Sequence, residues 1–293
     1  MRAKVKAFAK INLTLNVCGV QGGYHDIESL VTTIDLFDTV TVSPRKDDKI
    51  ILTMRGLGED IPQSKNNAYK AAVLFNETFK TGGADIELFK RIPLAGGLGG
   101  SSADVAGVLN AMKKAYEIDD DVKPLADKLG SDTGYMLSGG YALISGRGEV
   151  VRPIESETRL HFALIYAESG VNTAECYAKF DEMSAGGMLS DNEKAISALQ
   201  SGDFLSLCSC VNNALKAPAA KLNGEVKENL EIMRSLSPSA YGMTGSGSTV
   251  FGIFETEELA RWAIDKIKKH DVECEYVRSL NPQKLKFFGL LGG

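Results

Sequence analysis

A glycine-rich run between Pro93 and Ala103 is the strongest local sign of chemistry in the sequence. It reads Pro-Leu-Ala-Gly-Gly-Leu-Gly-Gly-Ser-Ser-Ala. Glycines let backbone N–H groups approach an oxyanion, and a helix that follows them adds the positive end of its dipole. The run therefore predicts a phosphate site, although a flexible turn capped by Ser101 explains the same residues when they are taken alone.

Two familiar phosphate motifs do not account for this run. The Lys-Ser or Lys-Thr ending of a P-loop is missing, and the dinucleotide spacing Gly-x-Gly-x-x-Gly fits only loosely. The sequence therefore predicts a phosphate loop of another kind.

The elements on either side must position this loop. Residues 84–92 alternate as a strand and residues 101–116 repeat at helical spacing, so the loop joins a strand to a helix. Other strands are predicted at 5–17, 30–42, 160–166 and 273–279, and residues 241–254 are predicted to be a glycine-rich turn that leads into a strand. Helices are predicted at 67–79, 122–129, 173–183, 191–200, 204–215, 224–235 and 256–270.

These elements predict an α+β protein of two domains, 1–155 and 156–293, since 293 residues suffice for two ordinary domains. The sequence has no repeat of 20 to 50 residues and no heptad series, which argues against solenoids and coiled coils.

Composition narrows the class of protein. A formal charge of −5 and a pI near 5.4 argue against broad binding of nucleic acid or of anionic membranes. No apolar segment approaches the roughly 20 residues of a membrane span. The five cysteines form no Cys-x-x-Cys pair, which favours reduced thiols and a cytoplasmic protein.

Three runs together resemble the motifs of the GHMP kinases, a family that includes galactokinase, homoserine kinase and mevalonate kinase. The glycine run resembles the phosphate-binding motif, residues 9–13 (Ala-Lys-Ile-Asn-Leu) the first motif and residues 243–251 (Met-Thr-Gly-Ser-Gly-Ser-Thr-Val-Phe) the third. The resemblance implies an N-terminal half similar to ribosomal protein S5 domain 2 and a ferredoxin-like C-terminal half. ATP and substrate would meet in the cleft between them.

Four more runs narrow the resemblance within the family. Residues 23–26, 66–72, 129–132 and 170–177 are similar to members that phosphorylate the 2-hydroxyl of a cytidine-diphosphate-linked methylerythritol, in non-mevalonate isoprenoid precursor synthesis. Together the runs extend over nearly the whole chain.

Phosphorylation of an alcohol needs a base near the hydroxyl and a cation to balance the developing charge. The resemblance implies that Asp132 is the base and that Lys10 lies beside it and keeps it ionised. Without the resemblance, Asp132 would be interpreted as a turn or cap residue and Lys10 as a solvated strand lysine.

The resemblance also implies the ATP site and its metal. Ser102 is expected to contact Mg²⁺ as well as phosphate, and Asn66 to lie on the adenine side. Helix capping is the alternative interpretation for the two serines. The ATP-binding residues predicted in this way are Pro93, Leu94, Ala95, Gly96, Gly97, Leu98, Gly99, Gly100, Ser101, Ser102 and Asn66.

Tyr24 and His25 are expected to hold the cytosine of the substrate, through stacking and polar contact. On their own, they could be a packed tyrosine and a surface histidine in a glycine-flanked loop. The other substrate-binding residues implied by the resemblance are Asn12, Thr173, Gly245 and Ser246.

The chain departs from the family pattern in three places. Thr133-Gly134 stands where an apolar residue and proline are usual, Lys216 replaces an acidic residue, and Asn67 replaces an apolar one. None removes a group that the chemistry needs. Two alternatives stay open: another GHMP alcohol kinase of the homoserine, sugar or mevalonate type, and a non-catalytic nucleotide-binding protein. The expected state is a monomer or weak homodimer.

Overall fold

The structure is a computed structural model that describes residues 1–58, 61–183 and 189–281. Its strands are β1 (Ala3–Asn12), β2 (Thr14–Gln21), β3 (Tyr24–Pro44), β4 (Ile50–Gly56), β5 (Ala84–Lys90), β6 (Tyr141–Gly146), β7 (Val150–Ile154), β8 (His161–Ile165), β9 (Asn212–Asn213), β10 (Ala240–Met243), β11 (Val250–Phe254) and β12 (Cys274–Arg278). Its α-helices are α1 (Asn67–Phe79), α2 (Gly100–Tyr116), α3 (Lys123–Ala126), α4 (Thr133–Ser138), α5 (Thr173–Glu182), α6 (Asn192–Ser201), α7 (Phe204–Cys210), α8 (Lys216–Leu222), α9 (Gly224–Ser235) and α10 (Glu257–Ile267).

The 21-residue strand β3 is the spine of the larger sheet. It pairs antiparallel with β2 and β1 along one edge and with β6 and β5 along the other. The β-branched residues that fill β3 suit a strand buried between neighbours. A single strand therefore aligns four others.

The smaller sheet has the strand order β10-β11-β8-β12, and each of its pairs is antiparallel. Helices α9 and α10 pack against it. With strands and helices largely segregated into two such layers, the predicted α+β fold is confirmed.

Helix α2 packs on β1 and β3 and brings the glycine loop to the sheet. A Cβ added at Gly107, midway along α2, would lie 2.9 Å from both the Ala7 Cβ and the Val40 Cγ2. Because glycine carries no Cβ, the helix can lie close to the two strands at this point. The N-terminus of α2 is thereby held beside Lys10.

The predicted helices that became α1, α2, α5, α6, α9 and α10 are confirmed, as are the strands β5, β8 and β12. The helix predicted at 204–215 is wrong in its second half. It ends at Cys210, because Asn212 and Asn213 pair in parallel with β2, and α8 begins at Lys216. A pairing with a distant strand leaves no trace in local periodicity.

Other differences concern the first half of the chain. The strand predicted at 5–17 is two strands interrupted at Leu13, and β3 begins at Tyr24 rather than at Leu30. Gly22 and Gly23 form a two-residue hairpin turn, with φ of 60° and 81°, between β2 and β3. The helix predicted at 122–129 is reduced to α3, and β4, α4, β6 and β7 were not predicted.

No helix in the described part of the chain is both long and apolar enough for a membrane span. The predicted domain boundary near residue 155 falls between β7 and β8, which belong to different sheets. The boundary itself stays a prediction.

Candidate active site

A cavity of about 940 Å³ is lined by residues of the larger sheet, the glycine loop, α5 and the turn between β10 and β11. Asn66 is outside its lining, and a second groove of about 690 Å³ beside β12 contains none of the predicted site residues. The predicted residues that line the cavity are Lys10, Asn12, Tyr24, His25, Pro93, Leu94, Ala95, Gly96, Gly97, Leu98, Gly99, Gly100, Ser101, Ser102, Asp132, Thr173, Gly245 and Ser246.

Lys10 and Asp132 form an ion pair at the wall of the cavity. The register of β1 against β3 shifts between Phe8 and Lys10, and the Lys10 Nζ lies 3.4 Å from the Asp132 Oδ2. The Lys10 side chain is 5% exposed and that of Asp132 is 26% exposed. A nearly buried ammonium is costly unless a counter-charge lies close, and the Asp132 carboxylate is that counter-charge.

The turn that carries Asp132 is anchored by the residues after it. Tyr135, in α4, is buried; its hydroxyl donates to the Gly140 carbonyl (2.7 Å) and lies 2.9 Å from the Thr33 Oγ1. Burial raises the pKa of Tyr135, so this phenol stays a neutral donor. A Cβ added at Gly148 would lie 3.0 Å from the Asp132 Oδ1, so the β6–β7 turn packs on the carboxylate.

The glycines of the loop are required by close contacts. Gly97 and Gly99 have φ of 73° and 72°, in the left-handed region. A Cβ at Gly97 would lie 2.1 Å from the Thr244 carbonyl oxygen, and a Cβ at Gly99 would lie 2.2 Å from the Met136 Cε. Any larger residue would push the loop away from the third motif and from α4.

The loop ends at the N-terminus of α2, where Gly99 is the N-cap. Glycine has no side chain with which to cap the first N–H groups of the helix. Ser101 and Ser102, in that first turn, also line the cavity. Uncapped N–H groups, two hydroxyls and the positive end of the helix dipole together suit a phosphate group.

Asn12 joins the first motif to the third. Its Oδ1 accepts hydrogen bonds from the Lys10 Nζ and from the backbone N–H of Gly245 (3.0 Å), and its Nδ2 donates to the Ser29 Oγ (2.7 Å). The backbone N–H of Asn12 donates to the Thr244 Oγ1 at 3.1 Å. Asn12 is 2% exposed, so its amide is largely committed to holding the walls of the cavity together.

Aromatic residues also line the cavity. The His25 ring stacks on Tyr177 with 4.6 Å between ring centroids, and its Nε2 lies 2.9 Å from the Asp181 Oδ1. Tyr24 is 56% exposed, and the Arg147 guanidinium lies 4.0 Å from the centre of its ring. This part of the cavity therefore offers flat rings and a held imidazole.

The remaining predicted residues are placed as follows. The Thr173 Oγ1 lies 2.9 Å from the Ser246 Oγ, which joins α5 to the third motif. Asn66 is the N-cap of α1, and its side chain accepts from the backbone N–H of Ala68 at 2.9 Å. Asn66 thus has the capping role and is not part of the cavity lining that it was predicted to join.

Sequence reasoning did not single out four polar residues of the cavity lining: Lys90, Arg147, Tyr177 and Asp181. Arg147 had a usable signal, because a cation between two glycines suits a tight, exposed turn. Tyr177 lies at the end of the run 170–177 that carried the family resemblance, but no role was assigned to it. Burial, with a smaller effect of the nearby Asp132 charge, raises the pKa of Tyr177, which marks it as an enclosed cavity residue.

The chain matches known families over most of its length. Residues 66–145 match the GHMP kinases N terminal domain, and residues 195–273 match the GHMP kinases C terminal region. The chain is 34% identical over 278 residues to the 4-diphosphocytidyl-2-C-methyl-D-erythritol kinase of Macrococcus caseolyticus (strain JCSC5402), which covers 93% of this chain and 97% of that protein.

Solved structures agree with these matches. A crystal structure of 4-(cytidine 5'-diphospho)-2C-methyl-D-erythritol kinase has a TM-score of 0.80 and 31% sequence identity, over 95% of this chain and 100% of that one. The homoserine kinase from Cytophaga hutchinsonii has a TM-score of 0.72 over 96% of this chain and 95% of that one, with 18% identity. At that identity the likeness concerns the fold alone.

We expect Asn12→Ala to lower the free energy of unfolding by about 2–4 kcal/mol, because Lys10, Gly245 and Ser29 all lose a hydrogen-bond partner. Urea denaturation at neutral pH measures the loss.

Asn16→Ala is the matched control, since Asn16 is a buried asparagine of β2 that exchanges two hydrogen bonds with the Ser190 backbone. An unchanged urea midpoint for Asn12→Ala, together with weaker substrate binding, would show that Asn12 acts on the ligand instead.

Proposed function

Since the chain belongs to the GHMP kinase family, and within it to the 4-diphosphocytidyl-2-C-methyl-D-erythritol kinases, we propose that it phosphorylates the 2-hydroxyl of that cytidylyl alcohol with ATP. This reaction is a step of non-mevalonate isoprenoid precursor synthesis. The observation that carries the proposal is the Lys10–Asp132 pair in a cavity that also contains the glycine loop.

Asp132 is the general base of the proposed reaction. Its carboxylate accepts the proton of the 2-hydroxyl as that oxygen bonds to the γ-phosphorus, while the bond from that phosphorus to the β–γ bridging oxygen breaks and ADP leaves. Lys10 lies 3.4 Å from the carboxylate and balances its charge before the proton arrives. The same ammonium offers a positive charge close to the reacting oxygen.

The phosphates of ATP would be held by the glycine loop and by the first turn of α2. The uncapped N–H groups there are donors already in position for charge that develops on the transferred group. Ser102 is the residue that would hold Mg²⁺, together with phosphate oxygens and water, because this ion keeps most of its ligands outside the protein. When bound, Mg²⁺ neutralises charge on the β- and γ-phosphates.

Tyr24 and His25 would bind the cytosine. The exposed ring of Tyr24 offers a stacking surface, and Arg147 supports it from the β6–β7 turn. His25 is oriented by Asp181 and by its stacking on Tyr177, which leaves it to make a directed polar contact. The residues proposed for the cytidylyl group and for the reacting hydroxyl thereby line one cavity.

Other properties of the protein stay predictions. These are a cytoplasmic location, a monomeric or weakly dimeric state, and the lack of nucleic-acid and membrane partners. Each follows from composition and family resemblance.

A coupled ADP-release assay with ATP and magnesium tests the proposed function. We expect release with the diphosphocytidyl methylerythritol substrate and none above background with homoserine, mevalonate or galactose. ADP release with one of the other alcohols instead would support the assignment as a kinase but contradict the proposed substrate. If the protein binds ATP but releases no ADP with any of the four alcohols, a non-catalytic nucleotide-binding role would be favoured.

We expect Asp132→Asn to lower kcat by at least about 100-fold and to leave ATP affinity nearly unchanged, because proton acceptance is lost while shape is kept. Steady-state rates and ATP titration measure the two effects. Asp127→Asn is the control: it makes the same charge change in a side chain that pairs with Lys123 at 2.7 Å and is not in the cavity lining. Normal turnover by Asp132→Asn would remove this residue from the mechanism.

We expect Tyr24→Ala to weaken binding of the cytidylyl substrate by about 1–3 kcal/mol, the usual loss when a base loses an aromatic stacking partner. ATP binding should not change. Tyr24→Phe keeps the ring and should restore most of the affinity. Titration of each variant with both ligands checks this, and equal losses for the two ligands would indicate general damage to the hairpin instead.

A further inference from the structure

The segment 166–172, which joins β8 to α5, lies directly against the start of the glycine loop. A Cβ added at Gly170 would lie 2.5 Å from the Ala95 Cβ and 3.3 Å from the Ala95 carbonyl oxygen. Non-bonded carbon atoms pack at about 3.5–4.0 Å, so a larger residue at this position would force the segment and the loop apart. Glycine at position 170 is therefore what lets the two backbones meet.

Ala95 is the residue of the loop that this contact holds. Its φ is 51°, in the left-handed region that is unfavourable for a residue with a Cβ. The loop is held by the third motif only from the next residue onward. There the Gly96 carbonyl accepts from the backbone N–H of Thr249 at 3.1 Å. The Gly97 carbonyl accepts from the Thr244 Oγ1, also at 3.1 Å.

The segment is anchored in turn by the start of α9. The Glu225 Oε2 accepts the backbone N–H groups of Glu168 (2.6 Å) and Ser169 (3.4 Å), and its Oε1 accepts from the Ser169 hydroxyl (2.6 Å). Asn223, the N-cap of α9, donates from its Nδ2 to the Ser169 carbonyl at 3.1 Å and to the Ser169 Oγ at 3.0 Å. The two residues directly before Gly170 are therefore fixed by side chains of another element.

Glu225 makes these contacts as an ionised carboxylate. Both of its oxygens act as acceptors. The hydrogen bond from the Ser169 hydroxyl is the main cause that lowers the pKa of Glu225 below its ordinary value, and the backbone N–H groups of Glu168 and Ser169 add to it. Hydrogen bonds to a charged acceptor are stronger than those between neutral groups. A single side chain thus organises the residues that press on the loop.

We propose that Ser169, Gly170 and Glu225 form a brace that sets the position of Ala95 and, through it, the affinity of the glycine loop for the phosphates of ATP. The inference rests on the proposed binding of ATP at this loop. Hydrogen bonds weaken steeply as donor and acceptor move out of line, so a small shift of the loop weakens its hold on phosphate oxygens. Glu225 is a positioning residue, because it acts through the segment and through Ala95.

An exchange of side-chain size between Gly170 and Ala95 tests the contact itself. Gly170→Ala adds the Cβ that does not fit, and we expect the Kd of ATP in calorimetric titrations to rise about tenfold. Ala95→Gly in the same chain removes the opposing Cβ and suits the left-handed backbone, so the double variant should return to within about threefold of the wild type. A double variant that binds ATP no better than Gly170→Ala would overturn the inference.

Glu225→Ala removes the anchor and leaves the loop and the segment unchanged in sequence. We expect the KM for ATP to rise by about five- to tenfold, while kcat at saturating ATP and the KM for the cytidylyl substrate stay within about twofold of the wild type. Glu228→Ala is the matched control. Glu228 belongs to the same helix and lines the same groove of about 570 Å³ as Glu225, but no hydrogen bond of its side chain is present in the described part of the chain.

A wild-type KM for ATP in Glu225→Ala would contradict the brace. So would a fall in kcat with no change in this KM, since that pattern, together with a lower urea midpoint, indicates general damage. If the cytidylyl alcohol supports no turnover, the Kd of ATP takes the place of KM in this comparison. If Gly170→Ala fails to fold, Glu225→Ala decides the question.

Titration with ATP needs no alcohol, so it separates this inference from the proposed function. A wild-type protein that binds no ATP would overturn both. A wild-type protein that binds ATP, with Gly170→Ala and Glu225→Ala variants of equal affinity, would overturn the brace alone.

Discussion

The side-chain amide of Asn12 is the interaction on which the rest of the site depends. It joins β1 to the backbone of Gly245, 233 positions later in the chain, and it also holds the Lys10 ammonium. It adds to the hydrogen bond that the Asn12 backbone N–H donates to the Thr244 Oγ1, the other direct polar contact described between the first and third motifs. Because the amide is buried, its hydrogen bonds are strong and directional, and each lost bond is costly. The two sheets are thereby fixed across a ligand-sized space.

Backbone proximity is the second constraint. The loop lies so close to the third motif that a Cβ at Gly97 would overlap the Thr244 carbonyl. That approach places uncapped N–H groups of α2 at the wall of the cavity. The long strand β3 supplies another part of the wall, because its first residues, Tyr24 and His25, form a hairpin with β2 beside the β6–β7 turn. The glycine loop and the hairpin residues Tyr24 and His25 therefore line the same cavity.

The two buried lysines, Lys10 and Lys90, differ in the number and the exposure of their carboxylate partners. Lys10 has one carboxylate partner that is partly exposed, so Asp132 remains accessible to a substrate hydroxyl. Lys90 has two carboxylate partners, Asp38 and Asp104, that are almost wholly buried. The first arrangement suits proton acceptance from a ligand, and the second suits a fixed support for the loop. Both depend on a lysine whose stem is packed and whose ammonium is enclosed.

The sequence by itself determined the α+β fold, the strand–loop–helix around Gly97 and the family, because these depend on local periodicity, glycine spacing and motif order. It also singled out Asp132 and Lys10. Only the tertiary structure decided that β3 runs unbroken from Tyr24, that Asn212 and Asn213 form a strand, and that Asn66 caps a helix outside the cavity lining. The same holds for the cluster around Lys90, whose members come from three separate elements. Strand pairings and charge clusters between distant segments depend on which residues the fold brings together. Local sequence patterns contain no information about such contacts.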